Sequence, residues 1–215
     1  MSQISEHALV LDSHPYRDRD LLLALLSPRL GVVRGVLQRA RGGRAPQASA
    51  AQILSLVRVA GFAGPHAELA TFQRLELITS SYPLAADLDR ATAAAVVAEL
   101  LFTFCSPGEA APRRFRLGAS LLDALLEGGR ADTLVAYAEY WILTLSGLLP
   151  GPQETPVDES GRRFLEECRS HPPSELSRPP PAETARWLDR RVREEAERPL
   201  RALDFLRSHG GAGDS

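Results

Sequence analysis

The hydrophobic pattern of this 215-residue chain changes period once, at Pro83, and that switch limits it to a strand-rich beginning and a helical remainder. Up to Thr79 the apolar runs are short and broken by turn residues, which is how strands read. Five are expected, over residues 4–11, 21–26, 32–38, 53–59 and 68–78. Asp12-Ser13-His14-Pro15-Tyr16 ends the first and Ser27-Pro28 the second. The third runs into Arg39-Ala40-Arg41-Gly42-Gly43-Arg44, and Gly61-Phe62-Ala63-Gly64-Pro65 closes the fourth. The fifth nearly alternates, as a half-buried strand should. Residues 21–26 are leucine and alanine, which favour helix, so their neighbours alone make that run a strand. Five strands in about 75 residues fit a small closed barrel, since closure removes the sheet edges.

Beyond Pro83, Leu84, Leu88, Ala91, Ala95, Ala98, Phe102 and Cys105 recur at spacings of three and four on one helical face. Pro112 starts a second helix, with Phe115, Ala119, Leu122 and Leu126 as its stripe, and Gly128-Gly129 stops it. Residues 133–149 are apolar almost all round and predict a buried central helix, too short and too charged at Glu139 for a bilayer span. Eight of the sixteen prolines fall in 150–181, so that stretch reads as loop with at most a helical turn around 164–168. Further helices are expected over 184–198 and from Leu200, before a disordered tail at 209–215. The expected domains are a barrel at 1–80, a helical domain at 81–149, a proline-rich loop at 150–181 and C-terminal helices at 182–208 packing on the helical domain.

Function is constrained first by the cations. All 25 basic residues are arginine, so chemistries that need a P-loop, Schiff-base or kinase lysine are excluded. A genome rich in G and C would give the same bias, but arginine's planar fork also suits phosphate. The net charge of −2 hides an asymmetry, +3 over residues 1–80 and −5 over 81–215. Residues 28–67 hold Arg29, Arg34, Arg39, Arg41, Arg44 and Arg58 and no Asp or Glu. Such a field is what polyanion binding requires, because neutralising phosphates releases condensed counterions. A merely solvated basic face is the alternative. Two cysteines and an N-terminus without a signal-peptide pattern point to the cytoplasm.

Four stretches together resemble the RecO family of bacterial recombination mediators. They are His7-Ala8-Leu9-Val10-Leu11 through Pro15-Tyr16-Arg17-Asp18-Arg19-Asp20; Ser27-Pro28-Arg29-Leu30-Gly31-Val32-Val33-Arg34-Gly35-Val36 with Arg39-Ala40-Arg41; residues 69–83; and Arg198-Pro199-Leu200-Arg201-Ala202-Leu203-Asp204-Phe205-Leu206. The resemblance implies an α+β multidomain chain with an N-terminal five-stranded OB-fold barrel followed by an all-α domain. It implies binding of single- and double-stranded DNA, strand annealing, and cooperation with RecR to load RecA onto DNA coated with single-stranded-DNA-binding protein, in the cytoplasm at the nucleoid. The candidate DNA-binding residues are Arg34, Arg39, Arg41, Arg44 and Arg58, with Arg17 and Arg19. Arg113, Arg114 and Arg116 are candidates to receive an acidic partner tail. Aromatics are scarce in this half, with Tyr16, Phe62, Phe72 and Tyr82, so phosphate contact should outweigh base stacking. Gly35 could place a bulge that inverts the third strand's register.

Many family members carry a four-cysteine zinc site after the central helix. Here only Cys168 stands in that segment, and Cys168 with His171 supplies two ligands where structural zinc needs four. No zinc, cofactor or catalysis is therefore expected. Cys105 lies on an apolar stripe, the five histidines are scattered, and Asp18 and Asp20 between arginines read as a solvated turn. The rival reading is a protein-interaction adaptor that does not bind DNA.

Overall fold

The computed structural model describes residues 2–40, 47–64, 68–151 and 155–209. They form two compact units, one of residues 1–83 and 105–119 and the other of 84–104 and 120–215. Segment 105–119 thus joins the first unit, not the helical domain expected over 81–149. Its reason is backbone bonding: Ala111 N–H donates to Pro28 O at 3.0 Å and Gly108 N–H to Leu30 O at 3.1 Å. Gly31, at φ +64°, permits this approach, because a Cβ there would lie 2.3 Å from Glu109 O.

In the first unit β1 (Ser2–Tyr16), β2 (Asp20–Ser27), β3 (Gly31–Leu37), β4 (Leu56–Ala63) and β5 (Ala70–Thr79) close a barrel in the order β1-β2-β3-β5-β4. A short helix, α1 (Gln47–Ala50), precedes β4. β1 is long because it serves two partners. Its first half pairs with β4, from Ser2↔Ala63 to Leu9↔Leu56, and its second half with β2, from Leu9↔Leu26 to Tyr16↔Asp20. An irregularity between Val10 and Asp12 turns the strand from one partner to the other. The parallel pairing of β3 with β5, Gly35↔Ala70 to Leu37↔Phe72, completes the ring.

Two strand expectations are corrected. Asp12-Ser13-His14-Pro15-Tyr16 continues β1 instead of ending it. β4 starts at Leu56, since Leu54 adopts φ +66° and donates its N–H to Val10 O at 2.7 Å. No bulge forms at Gly35 either, because the β2–β3 register runs unbroken from Leu21↔Leu37 to Ser27↔Gly31. The Phe72 ring occupies the space a Gly35 side chain would take, 2.7 Å from its ideal Cβ position. Phe72 is fully buried with Val10, Leu23, Leu25, Leu37, Val57 and Val59, and this core holds the barrel by excluding apolar surface from water.

The second unit is helical, with α2 (Leu88–Phe104), α4 (Ala131–Leu145), α5 (Glu159–Ser170), α6 (Ala182–Glu195) and α7 (Arg201–His209). α3 (Pro112–Leu126) belongs to the first unit up to Ala119. α4 is buried along nearly its whole length and packs against α2, α5 and α6. Residues 150–181 hold more helix than the single turn expected around 164–168: α5 has twelve residues, and the Asp158 carboxylate caps it by accepting the Gly161 N–H at 2.8 Å. Among the described residues no helix is long and apolar enough to cross a membrane. The tail expected to be disordered lies, from 210 on, outside the described residues.

Candidate nucleic-acid interface

Strand alternation decides where the barrel's arginines point. On β3 the inward positions Val33 and Leu37 pack in the barrel core, and Arg34 on the other face is exposed, opposite Ala24 of β2. On β4 the buried Val57 and Val59 flank the exposed Arg58. The turns place the others. Arg17 and Arg19 sit in the β1–β2 turn, where Arg17 takes φ +54° and its guanidinium lies 5.2 Å from the centre of the Tyr16 ring. Arg39 follows β3 at φ +53°, and its N–H donates to the Asp20 carboxylate at 2.9 Å. Asp20 is therefore a structural acceptor and not only a solvated turn residue. Through that bond Arg17, Arg19 and Arg39 gather at one end of the barrel.

The sequence candidates thus do not form one face. Arg34 stands part-way along the sheet, and Arg58 pairs with His7 near the opposite end, where Leu9 meets Leu26. Six residue steps of β3, about 20 Å, separate the two ends. Arg41 and Arg44 lie outside the described residues. Arg17, Arg19, Arg34 and Arg39 are exposed, and none of their side chains has a carboxylate partner among the described residues. Arg113 and Arg116 are exposed one turn apart on α3, while Arg114 is half-buried, so these three do not share one surface.

The site at the Arg58 end is not among the sequence candidates. Alternation along β1 puts Glu6 inward between Ile4 and Ala8, and an acid at a core-facing position demands a partner. Arg29, in the β2–β3 turn, supplies it: its Nε donates to Glu6 Oε1 at 2.7 Å and its Nη2 to the same oxygen. This carboxylate raises the Arg29 pKa above its ordinary value. Ser27 Oγ donates to Glu6 Oε2 at 3.4 Å and accepts the N–H groups of Arg29 and Leu30, fixing the turn. Ser5, Glu6, His7, Pro28, Arg29 and Arg58 line a cleft of about 330 Å³. Glu6 in an inward position is the available signal, but its partner lies 23 residues away and only register brings them together.

The cysteines are placed as inert groups. Burial pushes the Cys105 thiol up to about 11 and Cys168 up to about 12. Cys168 faces the interior beside Trp141, whose Nε1 donates to the Cys168 carbonyl at 3.0 Å, whereas His171 is exposed. Among the described residues no three His, Cys, Asp or Glu side chains are grouped to hold a metal ion.

Two comparisons with known proteins bear on this barrel. The family model described as "Recombination protein O N terminal" matches residues 1–81, which take in all five strands. The chain is 30% identical over 143 residues to a protein of Koribacter versatilis named DNA repair protein RecO, and 26% identical over 243 aligned positions to one of the same name from Pelobacter propionicus. Residues 1–81 match the RecO N-terminal family, and the chain is similar to these two RecO proteins. The first match covers 66% of this chain and 58% of that relative's length; the second covers 93% and 94%. The RecO N-terminal match contains every arginine of the five strands and their turns, and its end falls just before the switch of period at Pro83.

Proposed function

We propose that this chain acts in DNA repair and recombination, with its barrel serving as an OB-fold that binds single- and double-stranded DNA through the phosphate backbone. The observation that carries this reading is the set Arg17, Arg19, Arg34 and Arg39, exposed and without acidic partners among the described residues. Cations not already neutralised can release the counterions condensed on a polyanion, and arginine does so with a fork matched to phosphate oxygens. Arg58, and Arg41 and Arg44 beyond the described residues, are further candidates read from the sequence. The names of the two relatives support the same assignment.

The mechanism is binding rather than chemistry: strands held with their charge neutralised and bases free can anneal. The chain would then work with RecR to load RecA onto DNA coated with single-stranded-DNA-binding protein, in the cytoplasm at the nucleoid. Arg113 and Arg116 would meet that protein's acidic tail. No zinc enters this reading, because the buried Cys168 and exposed His171 face different surroundings, and the binding proposed calls on no cofactor or enzymatic activity.

The test is a titration of labelled mixed-sequence single-stranded DNA at several salt concentrations. With these four arginines engaged, log K should fall with log salt at a slope of about −3, a loss of roughly 60-fold between about 50 and 200 mM. Binding with no salt dependence, or none at all, would turn the assignment to the adaptor reading.

A further inference from the structure

The cleft at the Arg58 end holds two guanidinium groups that differ in how firmly they are held. Glu6 is 8% exposed and both its oxygens are engaged, Oε1 by Arg29 and Oε2 by Ser27. It matches one positive charge and fixes the Arg29 guanidinium, whose side chain is nevertheless 76% exposed. Arg29 therefore keeps unused N–H groups on its outer edge. Arg58, on the neighbouring strand, is held only loosely. Its Nη1 lies 3.9 Å from Glu76, a carboxylate that Arg74 approaches to 2.6 Å, and its Nη2 lies 3.5 Å from His7 Nε2. With Glu6 offsetting Arg29 and Glu76 offsetting Arg74, the cleft carries about one net positive charge, from Arg58.

His7 is the remaining group. Arginine can only donate, so the Arg58–His7 contact requires an unprotonated Nε2. The groups facing the ring are Arg58 from β4, with Glu76 of β5 behind it, and Ser5, Glu6, Pro28 and Arg29 around the cleft. A bound anion would change the balance. A phosphate oxygen can replace His7 as the acceptor for Arg58 and can itself accept from a protonated Nε2. The 3.5 Å contact given up is a weak one.

We propose that this cleft is a proton-coupled phosphate site: Arg29 and Arg58 grip one phosphate group, and His7 takes up a proton from solvent as it enters. Glu6 is a positioning residue that aims Arg29. The inference rests on the DNA-binding reading and deepens it by naming where one backbone phosphate sits and what regulates its hold.

Two measurements test it on the full-length protein. The first follows the His7 ring carbons by NMR through a pH titration, with and without inorganic sulfate as a phosphate mimic whose own charge does not titrate in this range. The His7 pKa should rise by about one unit with sulfate in the wild type, and less in Arg58→Gln. A His7 pKa indifferent to sulfate overturns the proposal.

The second measures single-stranded DNA affinity at fixed ionic strength from about pH 8 to pH 5.5, comparing His7→Gln with His171→Gln as a control outside the cleft. A one-unit shift gives the wild type and the control up to about tenfold tighter binding at the acid end, which His7→Gln should lose. If DNA binds and His7→Gln keeps the whole pH dependence, the phosphate site fails while the DNA reading stands. If sulfate shifts His7 but DNA does not bind, the site stands as an anion site and the DNA reading fails.

Discussion

In the helical unit Arg90 holds Asp87, Arg130 holds Asp132, Arg169 holds Glu166, Arg186 holds Glu183, and Arg193 holds both Asp189 and Asp204. On the barrel, Arg17, Arg19, Arg34 and Arg39 have no such partner among the described residues, and Arg58 reaches Glu76 only at 3.9 Å. The cation is the same in both units, so residue type does not separate them. What separates these two sets is whether a carboxylate of the same chain already cancels the field; the division is not strictly between units, since Arg29 and Arg74 of the barrel are paired and Arg178, Arg190 and Arg201 of the helical unit have no carboxylate partner among the described residues. A paired arginine must break or share a bond before it meets a phosphate, whereas an unpaired one gives up only water and counterions. Counting arginines along the sequence would credit the two units alike.

The largest effect expected from this difference is on DNA affinity. Replacing Arg17, Arg34 and Arg39 together by Gln should weaken single-stranded DNA binding by about 100-fold at about 100 mM salt and make the salt slope shallower by about two. Replacing Arg163, Arg169 and Arg186 by Gln should leave both nearly unchanged. Equal losses in the two triple variants, at equal folded content by circular dichroism, would break the distinction between paired and unpaired cations.

A second expectation concerns the one carboxylate that the helical unit buries completely among its described residues. Glu139 of α4 is fully buried, and desolvation raises its pKa to about 8 despite Arg207, whose Nη2 donates to Oε1 at 3.2 Å. Asp189 adds to the upward shift, while Arg193 opposes it. The folded pKa exceeds the unfolded one, so the folded chain holds this proton more tightly. The stability it contributes is present below the ordinary carboxylate range and is lost as pH rises towards about 8. Between about pH 5 and pH 8 the loss should be on the order of 3 kcal/mol, read by urea unfolding. Glu139→Gln should remove most of that slope, and a slope unchanged in the variant would show that Arg207 keeps the carboxylate ionised.

These contrasts also show which parts of the molecule the sequence can reveal. The outward position of Arg34 and Arg58 follows from alternation with Val33, Leu37, Val57 and Val59, which is local information. The pairing of Arg29 with Glu6 is not local, because it depends on β1 lying beside β2 in a particular register. Asp12-Ser13-His14-Pro15 has turn composition, which is why β1 reads from sequence as ending at Leu11. That half of β1 pairs only with β2, so its other edge has no strand partner and tolerates a proline without an N–H. α5 is hidden by its flanking prolines. Its amphipathic face is carried by Phe164 and Cys168, and its packing on α4 comes from residues about 25 positions earlier.

The smallest expected effect tests the comparison from its weak side. Arg186 and Glu183 pair at 2.8 Å one turn apart on α6, both well exposed. Solvent screening and the ordering of two long side chains leave such a pair worth less than about 0.5 kcal/mol. Arg186→Ala should therefore change unfolding stability by no more than that and DNA affinity by less than about twofold. This pair discriminates well because it adds almost nothing to the fold. If its arginine is nonetheless silent towards DNA, cancellation by Glu183, rather than commitment to structure, is what removes a cation from the binding surface. A DNA loss in Arg186→Ala equal to one third, in log units, of that in the barrel triple variant would mean instead that exposed arginines of both units meet the strand.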